Sequence, residues 1–163
     1  DPAFLHYPGE RGRVVYGEGI FVGYRGYEKK RVVPRFAFGH GLSYAEFSLG
    51  EPVLSSTELK SDDILEVRVT IRNKGIRPGS EVVQAYIRDV KASIARPEKE
   101  LAAFARVFLE PGEEQEVCLT IDRRALSFWD PQEGDWVAEP GTFEVLIGRS
   151  SADISIRPRF ELS

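Results

Sequence analysis

From about residue 45 onward, apolar and polar residues alternate one for one, the mark of strands with one buried and one wet face. Leu65, Val67, Val69 and Ile71 alternate with Glu66, Arg68, Thr70 and Arg72, and Val83, Ala85 and Ile87 with Gln84, Tyr86 and Arg88. Val117, Leu119 and Ile121 alternate with Cys118, Thr120 and Asp122, and Phe143, Val145 and Ile147 with Glu144, Leu146 and Gly148. A last short run sets Ile154 and Ile156 against Ser155 and Arg157, while Ala45–Leu54 and Lys99–Leu109 read as less regular strands. Turn chemistry falls in the gaps: Asn73-Lys74-Gly75, Arg77-Pro78-Gly79, Pro111-Gly112 and Pro140-Gly141. In each Pro-Gly pair the proline presets φ and the glycine accepts a positive one. Arg123-Arg124-Ala125-Leu126 predicts a single helical turn, and no stretch sustains a longer helical period.

About seven short strands with turns between them predict an all-β, antiparallel sandwich of the fibronectin-III/immunoglobulin kind over residues 41–163. Its core is expected to hold Val67, Val69, Val83, Ile87, Leu119, Phe143, Val145 and Ile147, with Arg68 and Glu66 outside. A slip of one residue would invert every strand, so this list fixes the register. Residues 1–40 differ: glycine, tyrosine and arginine are frequent and no period persists, so they read as an extended arm that needs another surface. Within the arm, the part after Pro34 is expected to pack on the sandwich, because Phe36, Phe38, Leu42 and Tyr44 lead into its first strand.

Charge separates the same two parts. The arm carries seven Lys/Arg against four Asp/Glu, and the remainder fifteen against twenty-two. The arm's bases are dispersed among glycines and aromatics rather than clustered, so an acidic neighbouring protein surface, not nucleic acid, is the expected partner. Apolar runs reach only a few residues, so no membrane span is predicted. No signal peptide is visible in Asp1-Pro-Ala-Phe, and a start without Met in mid-pattern is expected of a piece of something longer. One cysteine, Cys118, allows no internal disulfide and no cysteine metal cluster, and the one asparagine, Asn73, is not in a glycosylation sequon. These two features lean toward an intracellular or bacterial origin.

Each candidate for chemistry has a blander reading beside it. Gly17, Gly19 and Gly23 imitate a phosphate-cradling loop, but such a loop must follow a strand and open a helix, and no helical pattern follows. Close backbone approach to another element accounts for them instead. His40, between two glycines, would need a second histidine or carboxylate to act as base or ligand, and His6 is far away in sequence, so a structural loop histidine is expected. Ser43 lacks the strained turn of a nucleophilic serine. The acidic residues lie mostly on polar strand faces and in turns, which gives no isolated carboxylate pair of the kind glycoside hydrolysis requires. Trp129, Trp136, Tyr24 and Tyr27 are the candidates for a sugar-stacking platform, with burial in a core or domain interface as the alternative.

Taken together, several segments carry a family likeness: Arg11-Gly-Arg-Val-Val-Tyr16, Gly17-Glu-Gly-Ile-Phe-Val-Gly-Tyr-Arg25, Phe36-Ala-Phe-Gly-His-Gly-Leu-Ser-Tyr44, Gly79-Ser-Glu-Val-Val-Gln-Ala-Tyr86, Arg96-Pro-Glu-Lys-Glu-Leu101 and Leu109-Glu-Pro-Gly112. With Phe104, Trp136 and Gly148-Arg-Ser-Ser151, the chain resembles the end of a family 3 glycoside hydrolase of β-glucosidase type. The opening Asp1-Pro-Ala-Phe-Leu5 with Glu10 to Tyr16 is similar to fungal members that carry an inserted PA14-type domain. The resemblance implies a retaining enzyme that removes terminal, non-reducing β-D-glucosyl residues. Its aspartate nucleophile on a barrel domain and glutamate acid/base on an α/β domain would both lie upstream of this chain. The family nucleophile sits in Ser-Asp-Trp, and Gly134-Asp135-Trp136 is an imitation in the wrong half, with Asp135 read as a turn residue and Trp136 as cover for a sandwich edge. No catalytic, cofactor-binding or metal-binding residue is therefore expected here, and no cofactor. Residues 1–40 are expected to be the tail of the α/β domain and residues 41–163 a fibronectin-III-like domain. That domain would brace the catalytic barrel and α/β domains or contact oligosaccharide or polysaccharide. The rival reading is an independent carbohydrate-binding or adhesion module, which an exposed row of aromatics on one sheet face would favour.

Overall fold

The computed structural model describes residue 4, residues 6–60 and residues 62–163. Apart from Phe4, the Asp1–Leu5 opening lies outside the described residues. Among the described residues, twelve strands and two helices run in the order α1 (Tyr24–Lys29), β1 (Phe47–Leu49), β2 (Val53–Leu54), β3 (Glu58–Leu59), β4 (Leu65–Asn73), β5 (Gly79–Asp89), β6 (Glu100–Leu109), β7 (Glu114–Ile121), α2 (Arg123–Leu126), β8 (Phe128–Asp130), β9 (Asp135–Val137), β10 (Gly141–Ser150), β11 (Asp153–Ile156) and β12 (Arg159–Leu162).

Two sheets form the sandwich. In the first, β4 is central, with β7 along one edge and β1 and β2 along the other. The second follows the order β3-β12-β10-β5-β6, with β11 also on β10. Every pairing is antiparallel except that of β3 with β12. β8 and β9 make a separate hairpin. The fold is thus the expected all-β sandwich, and α2 is the expected helical turn, capped by the Asp122 carboxylate, which accepts from the Ala125 amide.

The predicted register is correct. All eight predicted core residues are buried between the sheets, while Arg68 stands outside on β4 with Glu66. The larger number of strands arises from two- to four-residue pieces; apart from β11, which coincides with the Ile154 and Ile156 run, they are too short for alternation to register in sequence. Cys118 is exposed on β7, as its half-exposed strand face implied.

Alternation failed in one place. Gln84 and Tyr86 were assigned to a wet face of β5, yet both are buried, as are Glu144 and Leu146 on β10. Over Gln84 and Tyr86 the outer face of the second sheet is covered by the arm, while Glu144 is covered by Arg88 and Arg159. Tyr24 of α1 stacks on Phe38 and meets the Tyr86 ring edge-on, and the Leu101 amide donates to the Tyr24 hydroxyl at 2.8 Å. Lys99 binds Glu28, and Arg25 reaches Glu100 at 3.5 Å.

Two expectations about the arm are thereby corrected. A helix does follow Gly23, although six residues are too few to display a 3.6-residue period and draw their stability from contacts with the sheet. The part after Pro34 packs only in part as predicted: Phe38 and Gly39 reach the sheet, but Leu42 and Tyr44 are each 90% exposed, and Tyr24–Glu28 ahead of it is fastened to β6. Limited trypsinolysis is accordingly expected to cut at the exposed Arg11 or Arg13 well before Arg25. Peptide mapping of the first products checks this; equal rates at Arg13 and Arg25 would mean that α1 is not held.

Candidate functional site

The loop between α1 and β1 reaches the sheet because glycine permits it. Gly39 has φ +78°, and a side chain there would run into the Gln84 amide, its Cβ only 2.5 Å away. The same Gln84 donates to the Arg149 carbonyl at 2.7 Å and accepts the Tyr86 hydroxyl proton at 2.6 Å, while the Ser151 amide donates to the Phe38 carbonyl. A buried amide with both ends occupied thus ties arm, β5 and β10 together, as burial of polar groups requires. Burial raises the Tyr86 hydroxyl above its ordinary pKa, assisted by Tyr24 and Glu28. This tyrosine is a structural donor and stays protonated.

The three glycines of the imitation phosphate loop have separate reasons. Gly17 lies against the His6 ring, which is the expected close approach, whereas Gly19 and Gly23 face open space and are required for their positive φ. Among the described residues no strand precedes the short helix, so the segment lacks the setting of a phosphate loop. His40 donates its backbone amide to Ala37, and its ring lies against Phe36 at 5.5 Å. Among the described residues no group of three or more His, Cys, Asp or Glu could hold a metal ion.

The buried carboxylates are all engaged by bases. Glu144, its side chain 6% exposed, accepts from Arg159 at 2.9 Å and Arg88 at 3.2 Å. Burial pushes this carboxyl up, but the hydrogen bonds and charges of Arg159 and Arg88 together outweigh it and hold it below its ordinary value. Asp89 goes the other way: burial raises it, and the Lys91 amide and the Arg96 guanidinium at 3.7 Å only partly offset this. Arg96 is fixed in turn by Glu100 at 2.8 Å and by the Leu126 carbonyl. Such an arrangement holds loops; it offers no free acid beside a free nucleophile, as glycoside hydrolysis would need.

The signs of the two shifts predict a pH dependence. A depressed carboxyl contributes stability above its unfolded pKa, about 4.3 for glutamate, and loses it as pH falls through the folded value. Glu144→Gln should therefore lower the melting temperature at pH 7 and flatten its decline below about pH 5. Asp89, being raised, acts oppositely, its contribution fading as pH rises through its folded value. Melting curves from pH 3 to 7 check this; an acid limb unchanged by Glu144→Gln would mean that the two arginine contacts contribute nothing.

The proposed sugar platform is not assembled. Tyr24 is consumed by its contacts with Phe38 and Tyr86, and Tyr27 lines a different cleft, with Val32, Val33 and Pro34. Only Trp129 and Trp136 meet, as cross-strand partners of the β8–β9 hairpin with centroids 5.7 Å apart. The Arg124 guanidinium covers the face of Trp136. Asp135, read as a turn residue, belongs to β9 and is exposed opposite Asp130; its carboxylate accepts from the Trp136 amide. The hairpin, α2 and the arm border a cleft of about 460 Å³ that includes Ile20, Arg25, Leu101, Arg124, Trp129 and Trp136. Neither this cleft nor the roles of Gln84, Glu28 and Asn73 was identified from the sequence. Arg96 and Glu100, four residues apart in a recognised motif, were the available signal.

Comparison with known proteins agrees with this architecture. The family model described as "Fibronectin type III-like domain" matches residues 81–151. Thermostable beta-glucosidase B of Acetivibrio thermocellus is 47% identical over 157 residues, which cover 96% of this chain and 21% of that protein. Probable beta-glucosidase H of Emericella nidulans is 45% identical over 164 residues, covering 100% of this chain and 20% of that protein. Among solved structures, the family 3 β-glucosidase of Bifidobacterium adolescentis superposes with a TM-score of 0.93 at 38% identity, over 99% of this chain and 24% of that one. The β-glucosidase of Kluyveromyces marxianus, solved in complex with glucose, gives 0.92 at 41% identity, over 99% and 19%. The chain spans about a fifth of the length of the curated relatives it matches. By sequence and fold together, the chain is a fibronectin type III-like, C-terminal part of the kind that family 3 β-glucosidases carry.

Proposed function

We propose that this chain is the bracing, non-catalytic part of a β-glucosidase that releases terminal, non-reducing β-D-glucosyl residues. In this reading residues 1–40 are the tail of the preceding α/β domain, and residues 41–163 are the domain that props it and the barrel. No catalytic residue lies within the chain, and no cofactor is required. The observation that carries the reading is the state of the arm. Its helix is fastened to the sandwich, yet Val14, Val15, Tyr16, Val22, Phe36, Leu42 and Tyr44 point into water. Exposed apolar side chains at both ends of the sheet-bound helix support an interface of the arm with a preceding domain. The test is hydrolysis of an aryl β-glucoside. The isolated chain should match buffer and the parent enzyme should turn over; activity that follows the purified chain and is lost on mutating one of its own carboxylates would overturn the reading.

One observation favours a second reading. Phe104 and Phe108 are 66% and 59% exposed on one face of β6 with Arg106 between them, a short aromatic row of the kind a carbohydrate-binding module displays. Titration with a cello-oligosaccharide discriminates: shifts in the Phe104 and Phe108 ring resonances support the binding module, and their absence leaves the bracing role alone.

A further inference from the structure

The cleft beside the tryptophan hairpin has the properties of a protein contact, not of a sugar subsite. Trp129 is half exposed in it, and Ile20 of the arm lines it together with Leu101. Stacking of a pyranose would need free aromatic faces, but the face of Trp136 is taken by Arg124, which leaves a single indole. One charge is unmatched: Arg124 has no carboxylate partner among the described residues, whereas Arg25 is met by Glu100 and Arg96 by Glu100 and Asp89. A visitor with an apolar tip and a carboxylate would satisfy both the indole and the spare guanidinium; Trp and Arg are also the residues that dominate interface energies.

The position of Ile20 indicates where that visitor comes from. The arm is the chain's connection to whatever precedes it, and the relatives extend to about five times this chain's length. A segment upstream of the arm is tethered next to the cleft, at an effective concentration on the order of millimolar. We propose that the cleft formed by Ile20, Arg25, Arg124 and Trp129 receives an acidic, apolar-tipped segment of the region upstream of the arm. The inference rests on the bracing role proposed above and places its contact.

The experiment uses the full-length parent enzyme carrying Cys118→Ser, with Trp129→Cys added, and peptide-resolved maleimide labelling. Labelling at position 129 should be at least about tenfold slower in the native enzyme than after unfolding in urea, and Arg124→Glu should remove most of that protection, since a buried interfacial charge leaves its partner unpaired. In parallel, Val145→Ala in the parent reports on bracing through the half-life of activity at elevated temperature. A shortened half-life with rapid labelling at position 129 would preserve the bracing role and overturn the cleft assignment. An unchanged half-life would overturn the bracing role and the cleft with it. Protection lost on dilution would assign the cover to a second copy of the protein, and protection restored only by added cello-oligosaccharide would assign it to a sugar; both overturn the proposal.

Discussion

Replacing Phe143 with alanine is expected to cost about 3–5 kcal/mol. The ring is fully buried near the start of β10 and stacks on Phe160 of β12 with centroids 5.6 Å apart. Both sheets converge on it, so the cavity left by truncation has no mobile wall to collapse into, and the cavity adds to the lost transfer energy. Urea unfolding should show a lowered midpoint with an unchanged slope. A loss below about 1 kcal/mol would mean that the two phenylalanines are not packed as described.

The second large effect concerns the single asparagine. Asn73, at the end of β4, is fully buried and bridges three segments. Its amide donates to the Arg77 carbonyl at 2.8 Å and the Leu109 carbonyl at 3.1 Å, while its oxygen accepts from the Gly75 amide at 2.9 Å. Alanine there strands one or two polar groups without water, so Asn73→Ala should cost about 2–4 kcal/mol. Asn73→Asp keeps the acceptor for Gly75 but sets a carboxylate against two carbonyls, and should be no better than alanine at neutral pH. Thermal unfolding of both variants checks this; near-wild-type stability of either would contradict the described network.

The strands with period-two alternation were legible because burial on one face is written directly into the order of residues. Val67, Val69, Val145 and Ile147 needed no knowledge of their partners. What escaped was everything decided by a second layer. Tyr86 and Gln84 occupy polar positions of an alternating strand, and only the arm above them makes those positions interior. Helix α1 was hidden because six residues show no period and its anchors, Leu101, Lys99 and Glu100, lie more than seventy residues away. Asn73 looked like an ordinary turn residue, since its partner Leu109 is thirty-six residues on. The tryptophans of the hairpin were noticed singly, but which of them would meet depends on a cross-strand register that composition does not carry.

In the proposed role the chain stabilises a catalytic region without taking part in its chemistry. The most direct measurement is kcat and KM of the parent enzyme carrying Val145→Ala, taken before and during incubation at elevated temperature. Because Val145 is fully buried in the sandwich core, its truncation should cost about 1–3 kcal/mol there and touch no reacting group. Both constants should match wild type at a temperature where the sandwich is folded, while activity decays several-fold faster on heating. A changed kcat in the folded enzyme, or a decay rate equal to wild type, would contradict the bracing role.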